Sequence, residues 1–169
     1  MEHLHAPWRI DYILAPKEPK GEDSLFTQIA QSSDDEANLV LWRGQSCYVV
    51  MNRYPYSGGH LMVVPYRQVA NLDDLDQQEL SALMEATQNS IRVLRHIMKP
   101  SGFNIGMNLG AVAGAGIQEH LHMHIVPRWE GDTNFMPVIG ATAVLPEALF
   151  DLAKKLRAAF QGTEPIQKA

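Results

Sequence analysis

The chain has 169 residues, a formal net charge of −5 and 46% hydrophobic residues. This length and composition predict one globular domain over residues 1–169, with enough apolar side chains for a core. The negative charge argues against nucleic acid as a partner. No apolar run is long enough to predict a membrane span. The single Cys47 excludes an internal disulfide and favours a reducing compartment, which we predict to be the cytoplasm.

The first predicted elements are strands that follow an irregular N-terminal segment, residues 1–22. Pro16, Pro19 and Gly21 break regular structure in that segment. A polar loop at 32–36 comes next. Three strands follow it, at 39–43, 48–52 and 60–65, with turn residues between them.

A long helix is predicted to begin after Asp76, because Asp76 and Glu79 have the spacing of a capping box. Apolar residues then recur at helical spacing, and Pro100 ends the run. Two more strands are predicted at 103–108 and 120–126, and a last helix at about 146–160. Five strands, an inserted long helix and a C-terminal helix together predict an α+β fold.

Three histidines alternate within five residues, at His120, His122 and His124. Alternate residues of a strand point to the same face, so the three imidazoles are predicted to share one face. Leu121 and Met123 are predicted to face the core. Imidazole is a nucleophile, a proton carrier or a metal ligand near neutral pH. The triplet alone therefore fits a zinc site and a nucleophilic site about equally.

The residues around the triplet carry further motifs. The pattern His-φ-His-φ-His-φ-φ, with φ apolar, runs from His120 to Val126, and a Gly-His-φ-φ-φ-φ-Pro element runs from Gly59 to Pro65. A stretch of small residues, 113–116, precedes the triplet. These motifs resemble those of the histidine triad (HIT) family of nucleotide hydrolases and transferases. The segment 128–140 is similar to a narrower group, the diadenosine tetraphosphate phosphorylase-like proteins.

The resemblance implies a five-stranded antiparallel sheet with helices on one face, usually in a homodimer. It assigns the nucleophile to His122. His120 and His124 become orienting groups and phosphate donors, and His60 supports their hydrogen-bond network. Nucleotide or phosphate contacts are expected from a polar and small-residue set: Asn52, Asn108, Gly116, Ile117 and Gln118. An apolar slot for the base is expected from four strand residues: Leu39, Leu41, Val50 and Met51.

A neutral imidazole nitrogen attacks a phosphoanhydride without adding negative charge. The covalent phosphoramidate that forms divides one difficult reaction into two easier steps. The predicted substrate is a dinucleoside polyphosphate such as diadenosine tetraphosphate, cleaved through a nucleotidyl-His122 intermediate. Inorganic phosphate is the predicted second acceptor, with Arg128 and the backbone of Gly131 to Asn134 lining its pocket, and water is the alternative. Two other functions stay open: a nucleoside phosphoramidate hydrolase, and a nucleotide- or metal-binding protein without turnover.

Many proteins of the HIT family bind a structural zinc ion through a Cys-x-x-Cys pair and a histidine that follows the second motif. In this chain Ser24 and Thr27 stand at the cysteine positions, and Gln68 stands at the histidine position. We therefore predict no structural metal and no required cofactor. A divalent cation carried by the polyphosphate substrate is compatible with this prediction.

Overall fold

The computed structural model describes residues 22–132 and 147–162. These residues contain an antiparallel five-stranded sheet in the order β1-β2-β3-β5-β4. The five strands are β1 Val40–Arg43, β2 Cys47–Met51, β3 Leu61–Pro65, β4 Gly102–Gly106 and β5 Met123–Arg128. The predicted α+β fold with a five-stranded antiparallel sheet is confirmed.

Within residues 22–132 and 147–162, three α-helices accompany the sheet: α1 Leu25–Gln31, α2 Gln77–Met98 and α3 Leu149–Gly162. The predicted capping box opens α2. The Asp76 side chain accepts a hydrogen bond from the Glu79 N–H, and the Glu79 side chain accepts one from the Asp76 N–H. Lys99 ends the helix in the left-handed conformation, directly before Pro100. Among the described residues, no helix is both long and apolar enough to cross a bilayer.

The two faces of the sheet have different partners. Cys47 points toward α2, where its Sγ lies 3.6 Å from the Ala82 carbonyl oxygen. Met62 pairs with Val50 on one side and with His124 on the other. Residues that pair directly across neighbouring strands have their side chains on the same face of the sheet. Cys47 and Val50 are an odd number of positions apart on β2, so their side chains point to opposite faces. Val50, Met62 and His124 therefore lie on the face away from α2.

The main difference from the predicted elements concerns the histidine strand. We predicted a strand from His120 to Val126, but β5 begins at Met123 and ends at Arg128. His120 and His122 lie in the irregular segment before it, because Leu121 makes its backbone hydrogen bond to the Val69 carbonyl and not within the sheet. The prediction that all three histidines alternate along one strand is therefore wrong.

The second difference is α1, which we did not predict. Ser24 caps this helix by accepting a hydrogen bond from the Thr27 N–H. The predicted segments 1–22 and 128–140 lie outside the described residues, except for residue 22 and residues 128–132. The predicted start of the last helix also lies outside them, and α3 is described from Leu149. The single domain over 1–169 stays a prediction.

Candidate active site

A cavity opens on the face of the sheet away from α2. Its walls come from α1, the turn before β1, the strands β2 and β3, the loop after β2, the loop 108–117 and the start of β5. The residues that line it are Leu25, Phe26, Ile29, Asn38, Leu39, Val50, Met51, Asn52, Arg53, Tyr54, Tyr56, Met62, Asn108, Gly114, Gly116, Ile117, His122 and His124. The cavity thus joins two predicted catalytic histidines to an apolar slot.

His122 presents one defined nitrogen to this cavity. Its Nδ1 lies 3.0 Å from the His120 carbonyl oxygen, which can only accept, so Nδ1 carries the proton. In the neutral ring the lone pair is then on Nε2. Burial lowers the pKa of His122 below its usual 6.5, which favours the neutral ring at neutral pH. Neutral Nε2 is the form of imidazole that attacks an electrophile.

His124 receives its orientation from His60. The Tyr56 N–H donates to His60 Nδ1 at 3.2 Å, and the Asn52 side-chain amide lies 3.3 Å from the same nitrogen. His60 Nδ1 is therefore the acceptor, and the proton of the neutral ring is on Nε2. That Nε2 lies 2.9 Å from His124 Nδ1 and donates to it. Neutral His124 consequently carries its own proton on Nε2, which makes it a hydrogen-bond donor from that atom.

His120 does not line the cavity with the other two triad histidines. It is fully buried, with Nε2 2.8 Å from the Pro65 carbonyl oxygen and Nδ1 2.7 Å from the Ser24 hydroxyl. Both ring nitrogens are thus bonded to the protein itself. His120 was predicted to orient the nucleophile and to donate to phosphate. Its placement supports the orienting role, because its backbone carbonyl accepts the hydrogen bond from His122 Nδ1. It does not support His120 as a phosphate donor, because no ring nitrogen is left for a ligand.

The apolar slot is built largely by α1, which the sequence prediction lacked. Phe26 places its ring centroid 4.8 Å from that of His122. Leu25 and Ile29, from the same helix, line the cavity beside it. Three of the four predicted slot residues also line the cavity, namely Leu39, Val50 and Met51. Leu41 does not, since the register of β1 shifts between Val40 and Trp42. The signal for α1 was Ser24 as an N-cap followed by apolar residues at helical spacing.

The predicted nucleotide and phosphate contacts are only partly brought together. Asn108, Gly116 and Ile117 line the cavity, whereas Gln118 is exposed and does not. Asn52 lines the cavity too, but its side chain is also bonded to the protein backbone, since Oδ1 accepts a hydrogen bond from the Tyr54 N–H at 2.9 Å. A role for Asn52 beside a ribose stays a prediction.

The comparisons with known proteins agree with this geometry. The HIT domain family profile matches residues 34–131. The chain is 47% identical over 162 residues to a protein of Mycobacterium tuberculosis named AP-4-A phosphorylase, covering 92% of this chain and 83% of that protein. It is 33% identical over 93 residues to the asymmetrical bis(5'-nucleosyl)-tetraphosphatase of Schizosaccharomyces pombe, covering 55% of this chain and 50% of that protein.

A solved structure of a zinc-bound histidine triad family protein from Mycobacterium smegmatis has the same fold, with a TM-score of 0.65 and 22% identity. The likeness covers 82% of this chain and 94% of that one. The chain belongs to the HIT family, and its cavity places two of the family's histidines side by side. The identity to enzymes over most of the chain supports an activity on nucleotides.

Proposed function

We propose that this protein cleaves dinucleoside polyphosphates, with diadenosine tetraphosphate as substrate and His122 as covalent nucleophile. The observation that carries the proposal is the tautomer of His122, whose protonated Nδ1 leaves the Nε2 lone pair for the cavity. The relatives named AP-4-A phosphorylase and bis(5'-nucleosyl)-tetraphosphatase support the substrate class. The apolar slot beside Phe26 suits a nucleobase, since aromatic and aliphatic side chains can cover the faces of a flat ring.

In the first step, His122 Nε2 forms a bond to the phosphorus that carries one adenosine. The bond from that phosphorus to the bridging oxygen breaks, and ATP leaves. The departing oxygen takes the bonding electron pair and leaves as a phosphate anion of ATP, to which the Nε2–H of His124 donates a hydrogen bond. AMP stays bound to His122 as a phosphoramidate. In the second step, an oxygen of inorganic phosphate attacks the same phosphorus and the P–N bond breaks. ADP is released, and His122 regains its neutral form.

Arg128 was predicted to help bind the phosphate acceptor, and its placement does not support that role. The guanidinium donates to the Asp132 carboxylate at 2.6 Å and to the Asn104 side chain at 2.8 Å. Arg128 also follows His124 by four strand residues, which is about 13 Å along β5. Phosphate as the acceptor is therefore supported by the M. tuberculosis relative named AP-4-A phosphorylase, and not by Arg128.

Product analysis with diadenosine tetraphosphate tests the proposed reaction. We expect ATP and ADP in equal amounts, at a rate that rises with phosphate concentration, because a bound and oriented anion competes with water for the intermediate. ATP and AMP at a rate independent of phosphate would show that water is the acceptor. Absence of cleavage, together with hydrolysis of an adenosine phosphoramidate, would replace the proposal with the phosphoramidate hydrolase.

We further propose that the protein is a cytoplasmic homodimer. Among the described strands, β4 forms one edge of the sheet, so its outer backbone groups are available to pair. Large apolar side chains are exposed in and after this strand. Ile105 is 45% exposed, Leu109 is 41% exposed, and Val112 is fully exposed. Exposed apolar residues beside a free strand edge favour a self-complementary interface with two-fold symmetry.

Charged substitutions at this edge test the dimer. Ile105→Glu is expected to convert the protein to a monomer, because it places a carboxylate in the proposed interface. Phe150→Glu is the matched control, since Phe150 is also half exposed but lies on α3, which packs against β1 at the opposite edge. Sedimentation velocity at micromolar concentration measures both masses. A monomeric wild-type protein, or an Ile105→Glu variant that stays dimeric, would contradict the proposal.

A further inference from the structure

A cluster of polar side chains lies behind the catalytic cavity, where α1 meets the loop before β5. Its members are Ser24 and Thr27 at the start of α1, Gln68 after β3, and His120. Ser24 and His120 are both buried, with 4% and 0% of their surface exposed, and Thr27 and Gln68 are half buried. The cluster therefore joins three segments that are far apart in sequence.

The direction of each hydrogen bond in the cluster follows from its partners. His120 Nε2 lies 2.8 Å from the Pro65 carbonyl oxygen, so it carries the proton and neutral Nδ1 accepts. Ser24 Oγ, 2.7 Å from Nδ1, therefore donates to it, and the same oxygen accepts the Thr27 N–H at 3.1 Å. Every donor named here has a defined acceptor.

Gln68 completes the cluster from the opposite side. Its Oε1 accepts the Ser24 N–H and the Thr27 hydroxyl, both at 2.8 Å. A single amide oxygen thus receives two of the donors at the start of α1. Its Nε2 lies 3.3 Å from the Glu22 carbonyl oxygen and donates to it. Gln68 therefore anchors the N-terminus of α1 to the end of β3.

The donor atoms of this cluster do not suit zinc. Proteins bind zinc through thiolates, imidazole nitrogens and carboxylates, whereas this cluster offers two hydroxyls, one amide oxygen and one imidazole. The single imidazole has both nitrogens engaged by protein atoms. Burial lowers the pKa of His120 below its usual 6.5, in keeping with a neutral ring that is held by hydrogen bonds alone.

We propose that Ser24, Thr27 and Gln68 form a metal-free positioning network that holds His120 in place and thereby sets the tautomer of the nucleophile. The network fixes the His120 ring at both nitrogens, and the His120 carbonyl accepts the Nδ1 proton of His122. Because Ser24 and Thr27 also begin the helix that carries Phe26, the same bonds hold the apolar slot beside the nucleophile. The catalytic part of this proposal depends on His122 acting as proposed above.

The experiment compares Ser24→Ala, Ser24→Thr and Asp76→Ala. Ser24→Ala removes the donor to His120 and is expected to lower kcat on the order of tenfold, because a fraction of His122 takes the other tautomer. Ser24→Thr keeps the hydroxyl and is expected to restore kcat. Asp76→Ala is the matched control: it removes the same kind of cap from α2, far from His120, and leaves kcat unchanged at a similar loss of stability.

Imidazole ¹⁵N NMR of the ligand-free protein tests the network without any substrate. Wild-type His120 is expected as the Nε2–H tautomer and His122 as the Nδ1–H tautomer, with a shift of the His120 Nδ1 signal in Ser24→Ala. Thr27→Val, which is nearly the same size and keeps the backbone cap, provides a milder variant if Ser24→Ala does not fold. It is expected to lower kcat a few-fold.

Three results would overturn the network. They are wild-type His120 in the Nδ1–H tautomer, unchanged kcat in both Ser24→Ala and Thr27→Val, and stoichiometric zinc in the dialysed wild-type protein. A failure of the proposed function would look different. The wild-type protein would then not turn over diadenosine tetraphosphate, while the histidine tautomers would still match the network.

Discussion

Replacing His122 by alanine is expected to lower turnover of diadenosine tetraphosphate by roughly 10⁴-fold or more, since it removes the atom that forms the covalent bond. The imidazole lines the cavity with its Nε2 unprotonated, and among the described cavity residues only His124 offers a second imidazole. His124 cannot replace it, because its Nδ1 is occupied by the hydrogen bond from His60 and its Nε2 is protonated.

Two controls separate loss of chemistry from loss of structure in this variant. Binding of a non-cleavable dinucleotide analogue is expected to persist, because the apolar slot around Phe26 and Val50 is unchanged. His96→Ala is the matched histidine control, as His96 is exposed on α2 and lies outside the cavity. Mass spectrometry of the quenched wild-type enzyme is expected to find the nucleotide on His122. Near-normal turnover of His122→Ala would show that the nucleophile is another residue.

The second large effect is expected at His60, where two substitutions distinguish the contribution of ring nitrogen Nδ1 from that of Nε2. Asparagine places an acceptor near the position of Nδ1, and glutamine places an N–H donor near that of Nε2. Only the Nε2 side orients His124, through the 2.9 Å bond to its Nδ1. We therefore expect His60→Asn to lower kcat about 10²-fold, as for loss of one oriented hydrogen-bond donor to the leaving oxygen, and His60→Gln to lower it about tenfold.

Both His60 variants are expected to lose stability by a similar amount, because each leaves part of the hydrogen bonding of the fully buried His60 ring unmade. The cost of one unsatisfied buried group is about 1–3 kcal/mol. Thermal unfolding measures this loss, and steady-state kinetics measures kcat for the folded fraction. A His60→Asn variant that is as active as His60→Gln, or more active, would contradict the assignment of His124 as the hydrogen-bond donor to the leaving group.

Local sequence is enough to predict most of the secondary structure of this protein. The capping box of α2 and the Pro100 that ends it lie within a few residues of the helix termini, so both are visible without tertiary contacts. The strands are likewise visible as short apolar runs between turn residues. All five described strands were predicted, with bounds that differ by up to three residues. The short helix α1 has only its Ser24 cap and a few apolar residues, which is a weaker signal.

The position of the histidine triplet could be predicted only in part from the local sequence pattern. Its spacing predicts a functional site, and the HIT resemblance points to His122 as the nucleophile. Alternation along a strand, however, placed His120 beside the ligand, whereas the folded chain turns its ring toward Ser24. A strand pattern describes only residues within the strand, and β5 begins three residues later, at Met123.

The tautomers of His120 and His124 were decided by tertiary structure. Ser24 and His120 are separated by 96 positions, and His60 and His124 by 64. A hydrogen bond between such distant side chains leaves no periodic signal in either segment, because it depends on how the sheet brings them together. The sequence therefore determined which residue types are available for the chemistry. Only the packing of α1 and β3 against the β5 segment decided which nitrogen of His120 and of His124 carries the proton.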